Sequence, residues 1–338
     1  MKICFIDKTD FPYNYEDIYK PFIRGAENVL INFSLSLHEL GHEVVVINNC
    51  SKEYKSLNYS WLNINRVNYN NFYFDIVISN NDTRLLDKIT ANKKFVISHS
   101  LLNIEKFIRK KQLKSYIKNK PIYLLLGNYH KSKMSKLFSI YGTMLLDYGL
   151  DNVFLNKTIE NNVDNKLAMF TSRIDRNLDL LIDVWKSNIY PKNQELKLYI
   201  SPINNDLRNF GIYNRNFVDK NEYINQLIKS RVVILPGHKA ELYCLAASEA
   251  QELCIPIVTM GIGSLSERVE HNITGLIAQN KDEFSDYIFD TFLNDDLWLS
   301  FRNNLLSKRG KKTWLNASEL FLKNIDNNEW ENFNIKEW

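Results

Sequence analysis

No stretch of this chain approaches the ~20 consecutive apolar residues that a membrane-spanning helix needs. Its longest apolar runs, such as Ile122 to Leu126 and Val232 to Leu235, have strand length, so the chain is not expected to cross a bilayer. Cysteine is sparse: Cys4, Cys50, Cys244 and Cys254, of which only the last pair, ten apart, lie close in sequence. That interval matches neither a zinc nor a redox spacing, so all four are expected to be reduced and mostly in the core. There is no Asp-x-Asp or other metal-ligand cluster, and no metal is expected. The start, Met1-Lys-Ile-Cys-Phe-Ile-Asp7, lacks a charged leader, a long apolar stretch and a small-residue cleavage site, which points to a cytoplasmic protein. Beyond a high asparagine content there is no low-complexity tract and no short-period repeat.

What is present is an ordinary globular composition, 45% hydrophobic and 24% charged, in 338 residues. That length suits two domains of about 150 to 190 residues, each with its own core. Strand-length apolar runs alternate with amphipathic stretches, the pattern of an α/β protein with parallel sheets. In the first half the runs are Lys2 to Ile6, Glu43 to Ile47, Phe74 to Ser79, Lys94 to Ser98 and Ile122 to Leu126. The series restarts with Leu167 to Thr171, Leu196 to Ile200, Val232 to Leu235 and Pro256 to Met260, and helices are expected at 178–187, 221–230, 241–253 and 265–270. Asp151 to Lys166, rich in Asn and charge without a period, is the expected linker. The expected division is 1–160, 161–310 and a C-terminal helical segment, 311–338, that packs back on the first domain.

Charge is unevenly shared. Residues 1–160 carry 22 Lys and Arg against 15 Asp and Glu, a net +7, whereas the remainder is −3. Between residues 88 and 136, thirteen Lys and Arg face a single acid, Glu105. Within Leu101 to Lys120, apolar Leu101, Ile104, Phe107, Ile108, Leu113, Tyr116 and Ile117 interleave with Lys106, Arg109, Lys110, Lys111, Lys114 and Lys118. The expectation is a basic amphipathic helix, with at most one break, suited to an anionic membrane surface. A net charge of +4 with no recognition motif argues against nucleic acid.

Three segments carry chemistry. Leu235-Pro-Gly-His-Lys-Ala-Glu-Leu-Tyr-Cys-Leu-Ala-Ala-Ser-Glu249 reads as a strand end, a glycine loop and a helix, with Glu241 and Glu249 eight apart. In one continuous helix that is ~12 Å of rise, too far for the carboxylate pair of a retaining hydrolase and better suited to gripping two ends of a long ligand. The plainer alternative has Glu241 favouring a positive helix N-terminus and Glu249 solvated. Gly261-Ile-Gly-Ser-Leu-Ser-Glu267 ends the next strand; Ser264 and Glu267 have capping-box spacing, and the glycines suit backbone approach to a phosphate. Thr171-Ser-Arg-Ile-Asp-Arg-Asn-Leu-Asp179 places Arg173 and Arg176 at another strand end, where planar donors can clamp a diphosphate. The carboxyl edge of an open α/β sheet, where these loops converge, is where ligands bind.

On these residues the chain resembles glycosyltransferase family 4. Glu241 and Glu249 match that family's E-x7-E motif, with Pro236 before it and Gly261 to Glu267, Val269 and Thr274-Gly-Leu276 after it. Arg24-Gly25 followed by a helix and Glu39-Leu-Gly-His-Glu-Val-Val-Val resembles the family's opening glycine loop, with Arg24 in place of one glycine. Phe95-Val-Ile-Ser-His99 resembles its strand ending in histidine, and Tyr148-Gly-Leu-Asp151 the segment closing its first domain.

The resemblance implies a GT-B fold of two Rossmann-like α/β domains facing a central cleft. It implies a retaining, metal-independent glycosyltransferase moving a sugar from a UDP- or GDP-linked donor to a glycan or lipid-linked acceptor, as in cell-surface polysaccharide or glycolipid synthesis. It implies that Glu241 and His99 serve the transferred sugar and Glu249 the ribose. Arg173, Arg176, Gly25, Gly261, Gly263, Ser264 and His238 complete the donor site, the two arginines at a shorter spacing than the family's arginine and lysine. No cofactor is implied beyond the donor as substrate. Two alternatives stand: a nucleotide-sugar epimerase of the same fold, and a non-catalytic homologue that binds the sugar nucleotide.

Overall fold

The computed structural model describes residues 1–20, 23–159, 163–216 and 218–332. The expected boundary near residue 160 and the end of the segment 311–338 lie outside these described residues. The chain divides into two compact units, the first comprising Met1–Gly149 and the residues from Thr313 on, the second Leu150–Lys312.

In the first unit, β1 (Lys2–Ile6), β2 (Glu43–Asn48), β3 (Tyr54–Lys55), β4 (Tyr59–Asn63), β5 (Tyr73–Asn80), β6 (Thr90–Ile97), β7 (Ile122–Leu125) and β8 (Thr143–Leu145) form one sheet. Its order is β3-β4-β2-β1-β5-β6-β7-β8, parallel throughout except where β3 meets β4. Ile3, Cys4, Phe5 and Ile6 are fully buried, as expected of a central parallel strand covered on both faces. Helices α1 (Gly25–Glu39), α2 (Ile104–Arg109), α3 (Leu113–Asn119) and α4 (Asn128–Lys133) connect these strands. The basic amphipathic stretch is thus two short helices. Their break lies at Lys110–Gln112, where Lys111 takes a left-handed φ of 56° and Gln112 is buried.

The second unit holds β9 (Asp164–Met169), β10 (Lys197–Ile200), β11 (Ile212–Asn214), β12 (Ser230–Gly237), β13 (Ile257–Ile262) and β14 (Gly275–Ile277), a parallel sheet in the order β11-β10-β9-β12-β13-β14. Its helices are α5 (Asn152–Leu155), α6 (Leu178–Val184), α7 (Lys220–Leu227), α8 (Leu245–Glu252), α9 (Leu265–Arg268), α10 (Lys281–Leu293) and α11 (Asp295–Lys308). The expected linker therefore contains α5 and the start of β9. The buried strand β12 carries Arg231 through the core, and its guanidinium is satisfied by the Thr291 carbonyl at 2.8 Å, Asn165 at 3.1 Å and Asp295 at 2.6 Å. Such pairing is what lets a charge lie inside.

The last helix, α12 (Trp314–Asp326), belongs to the first unit. Its Trp314 and Phe321 pack on Phe33 of α1 with ring centroids 6.1 and 5.1 Å apart, and Phe321 also meets Phe95 of β6 at 5.4 Å. Among the described residues no helix is long and apolar enough to cross a membrane.

Strand order reverses between β1 and β5 in the first unit and between β9 and β12 in the second. At such a reversal the connecting helices leave to opposite faces, which opens a crevice beyond the carboxyl ends of the two strands. Each unit thus has one place the fold prepares for a ligand.

Candidate functional site

In the second unit the crevice lies between the loop after β9 and the loop after β12. The two are stitched together: Asn177 Nδ2 donates to the Gly237 carbonyl at 2.5 Å, and Ser172 Oγ donates to Glu241 Oε1 at 3.2 Å. The Ser172 carbonyl in turn accepts from Ser201 Oγ beyond β10. Glu241 is fixed through its backbone as well, its N–H donating to the His238 carbonyl at 2.9 Å and its carbonyl accepting from Ser264 N–H at 3.0 Å. Three strand ends therefore meet at this one residue. Burial pushes the Glu241 carboxyl above the usual carboxylate range, opposed by hydrogen bonds from Cys244 and Ser172 and by the positive charge of Arg176.

This junction corrects two expectations. Glu241 does not lie on a helix with Glu249: α8 starts only at Leu245, after Cys244 in a left-handed conformation with φ 62° and ψ 73°. Leu242, Tyr243 and Cys244 are all buried, and sinking three consecutive side chains breaks the 3.6-residue period that a helix from 241 would need. The capping box is not formed either. Ser264 is itself helical in backbone and makes no side-chain cap, its Oγ is buried without a partner, and α9 has one turn only. Its N–H is taken by the Glu241 carbonyl and that of Gly261 by Thr259 Oγ1, so neither is free for a phosphate here.

The glycines earn their place by close approach. A Cβ on Gly263, where φ is +78°, would stand 2.3 Å from the His238 carbonyl oxygen, and one on Gly237 would stand 2.5 Å from that of Ile262. Gly261 packs against Ile277. His238, partly buried, accepts from Ala240 N–H at Nδ1 across 3.1 Å, which leaves Nε2 as the donor of the neutral ring.

Arg173 and Arg176 share one carboxylate, each reaching Asp175 Oδ2 at 2.9 Å. They differ in setting: the Arg173 side chain is 75% exposed, that of Arg176 only 15%, and Arg176 is the one whose charge is felt at Glu241. Glu249, on α8, belongs to a second polar group. Burial raises its carboxyl to about 7 against the pull of Lys220, a hydrogen bond from Tyr223 and the charge of Arg215, while Asp151 pushes it higher. Lys220 is ion-paired with Asp151, and Arg215 lies over the Tyr223 ring at 4.9 Å.

In the first unit, His99 follows β6. Its N–H donates to Asn81 Oδ1 at 2.7 Å, Nδ1 stands 3.2 Å from the Tyr148 hydroxyl, and Nε2 is buried without a partner. Burial, and next the nearby His130, lower its pKa to about 4, so the ring is neutral at physiological pH. The Tyr148 contact at Nδ1 is compatible with either tautomer of the neutral ring. Gly25 opens α1 after Arg24, which makes no side-chain cap and whose guanidinium lies 4.5 Å from the Phe11 ring centroid.

The structure thus gathers Glu241, His238, Ser264, Gly261, Gly263 and Arg176 at the second crevice, sets Glu249 among Lys220, Tyr223 and Arg215, and holds His99 and Gly25 in the first unit. Ser172 and Asn177 escape sequence reasoning although both lie in a loop singled out for its arginines. A short polar residue directly after an apolar run was the available signal.

With this geometry in place, comparison with known proteins finds a family likeness in the second unit. Residues 154–312 match the family model of glycosyl transferases, group 1. This group 1 region contains Glu241, Glu249, Arg173, Arg176, His238, Gly261, Gly263 and Ser264; His99 and Gly25 lie outside it. A search of curated proteins returned no match to the chain. Among solved structures, Anabaena HepE in complex with UDP-glucose is similar with a TM-score of 0.69 at 13% identity, over 97% of this chain and 100% of HepE. Sucrose-phosphate synthase from Thermosynechococcus elongatus is similar with a TM-score of 0.69 at 11% identity, over 96% of this chain and 98% of that one. A glycosyltransferase from Rickettsia africae gives 0.63 at 15% identity, over 95% and 97%. The fold is that of the GT-B glycosyltransferases, with two parallel-sheet α/β domains.

Proposed function

We propose that the chain is a retaining glycosyltransferase that takes a sugar from a nucleotide-sugar donor and passes it to a glycan or lipid-linked acceptor without a metal ion. The observation that carries this reading is the Glu241 junction, a partly buried carboxylate held by the ends of three strands at the crevice of the group 1 region. The likeness to HepE, solved with UDP-glucose, favours a UDP-linked donor over a GDP-linked one.

In this reading Glu241 accepts hydroxyls of the transferred sugar and Glu249 those of the ribose. Arg173 and Arg176 leave Asp175 for the diphosphate, where they stabilise the charge that develops as the anomeric C–O bond breaks. The acceptor attacks from the face the diphosphate leaves, and its proton passes to the departing phosphate oxygen. Neutral His99 donates a hydrogen bond from Nε2 to the sugar rather than acting as a cation. The apolar side chains Ile104, Ile108, Leu113 and Ile117 are exposed beside Lys106, Arg109, Lys110, Lys111 and Lys114. That combination suits peripheral docking on the cytoplasmic, anionic leaflet, where a lipid-linked acceptor resides.

Incubation with UDP- and GDP-sugars and a pool of glycan and glycolipid acceptors tests the proposal. Free nucleotide plus a product whose anomeric proton coupling matches the donor's, unchanged by a chelator, is the expected result. An isomerised donor would instead establish an epimerase, and binding with no turnover a non-catalytic homologue.

A further inference from the structure

The first unit has its own crevice at the β1/β5 reversal, and none of the donor-site residues named above lines it. Here lies a cavity of about 510 Å³, within the range of small-ligand sites. Asp7, directly after β1, Glu27 in the first turn of α1 and Asn80 at the end of β5 line one part. Lys8, Arg84, Arg109, Lys110 and Lys111 line another.

The first group is short of donors. Glu27 is 3% exposed and Asn80 5%, and Glu27 Oε2 and Asn80 Oδ1 are both buried with no hydrogen-bond partner. Asp7 is better served, accepting from the Tyr13 hydroxyl at 2.6 Å. An acceptor left unpaired in the interior carries a desolvation cost, which a ligand recovers by bringing a donor. The second group is short of acceptors. Arg84 is paired with Asp82, but Lys8, Arg109, Lys110 and Lys111 form no ion pair among the described residues. Crowding by Lys110 and Arg109, after burial itself, depresses the pKa of nearby Lys106. The cationic edge is also held in place: Gln112 accepts from Thr83 N–H through Oε1 and donates to the Asn81 carbonyl, tying the α2–α3 break to the end of β5.

These two deficits select a ligand. Ammonium donors would satisfy Glu27 and Asn80 but would be repelled by the cations, so the donors must be neutral hydroxyls. The cations call for an anion, and Asp7 and Glu27 exclude it from their own side. We propose that this cavity binds a hydroxyl-bearing phosphate monoester or diester, its phosphate on Arg109, Lys110 and Lys111 and its hydroxyls donating to Glu27 and Asn80. Calling that ester the acceptor rests on the transferase reading; the binding itself does not.

Calorimetry on the full chain tests it with inositol 1-phosphate, inositol and inorganic phosphate as probes. The ester should bind at least about tenfold more tightly than either fragment, and both Glu27→Gln and the surface double variant Lys110→Ser/Lys111→Ser should remove about tenfold of that affinity. Inorganic phosphate binding as tightly as the ester would overturn the proposal, as would an ester affinity indifferent to both variants. Vesicles of phosphatidylinositol and of phosphatidylglycerol at equal charge separate the sources. Preference for the former identifies a lipid headgroup, whereas no preference, with soluble ester still bound, identifies a free phosphate ester. UDP is titrated separately on the unsubstituted chain: UDP bound without the ester sinks this inference alone, and the ester bound without UDP sinks the donor-site reading alone.

Discussion

Ser172 Oγ donates to Glu241 Oε1 at 3.2 Å, joining two strand ends that are 69 residues apart in the chain. Because Glu241 is also pinned through both its backbone groups, its carboxylate is presented at the crevice in one geometry before any ligand arrives. Preorganisation of that kind lowers the ordering cost of binding.

Glu241 and Glu249 should therefore fail differently. Glu241→Ala should lower kcat by about 10²-fold or more with little change in donor affinity if, as proposed, its contacts are to the reacting sugar. Glu249→Ala should weaken UDP binding itself. Steady-state kinetics beside UDP calorimetry separates the two, and unchanged values for both variants would refute the assignment.

If Glu249 holds the ribose, its raised pKa, about 7, should make nucleotide binding pH-dependent. A carboxylate accepts ribose hydroxyls better than a carboxylic acid does, so UDP affinity should fall as pH drops from 8 to 6, and Glu249→Gln should flatten that profile. Stability runs the other way. A carboxyl whose folded pKa exceeds its unfolded value favours the fold below the unfolded pKa, near 4.5, and that contribution is lost as pH rises through 7. Glu249→Gln should accordingly raise the melting temperature relative to the parent at pH 8 more than at pH 5.

Arg173 and Arg176 are poised on Asp175. If they transfer to the diphosphate, replacing either by Ala should weaken UDP more than UMP, by about 1–3 kcal/mol for the charged hydrogen bonds lost. The loss should be larger for the better-buried Arg176. Equal losses for the two nucleotides would show that the arginines do not reach the second phosphate.

Gly263→Ala sets a Cβ 2.3 Å from the His238 carbonyl at a left-handed φ. Since the neighbour is backbone and cannot swing away, the variant should lose about 2–4 kcal/mol of stability, seen as a lower urea midpoint. A midpoint equal to the parent's would mean that the loop after β12 moves aside freely.

Peripheral docking predicts that the protein sediments with anionic liposomes at low salt and is released at high salt. Replacing Ile104, Ile108, Leu113 and Ile117 by Ser should abolish sedimentation while leaving the cavity-lining cations in place. Retention of binding by that variant would rule these two helices out as the anchor.

The sequence by itself determined the long buried strands, whereas the short or peripheral β3, β4, β8, β11 and β14 were not foreseen. Lys2 to Ile6 and Val232 to Leu235 are legible because a parallel strand covered on both faces must be apolar throughout, a property of consecutive residues. It also determined the two-unit organisation of repeated α/β elements and marked out the loops at residues 171–179, 235–241 and 261–267. What only the tertiary structure decided is how those loops meet. The helix foreseen from residue 241 starts at 245 because Leu242, Tyr243 and Cys244 find buried places that no local period predicts. Ser264 holds the Glu241 carbonyl with its N–H instead of capping its own helix, since the strand order brings β12 and β13 side by side. The pKa values of Glu249 and His99, and the unpaired acceptors of Glu27 and Asn80, follow from burial among residues remote in sequence. Desolvation is a property of the assembled neighbourhood, and a linear chain does not carry it.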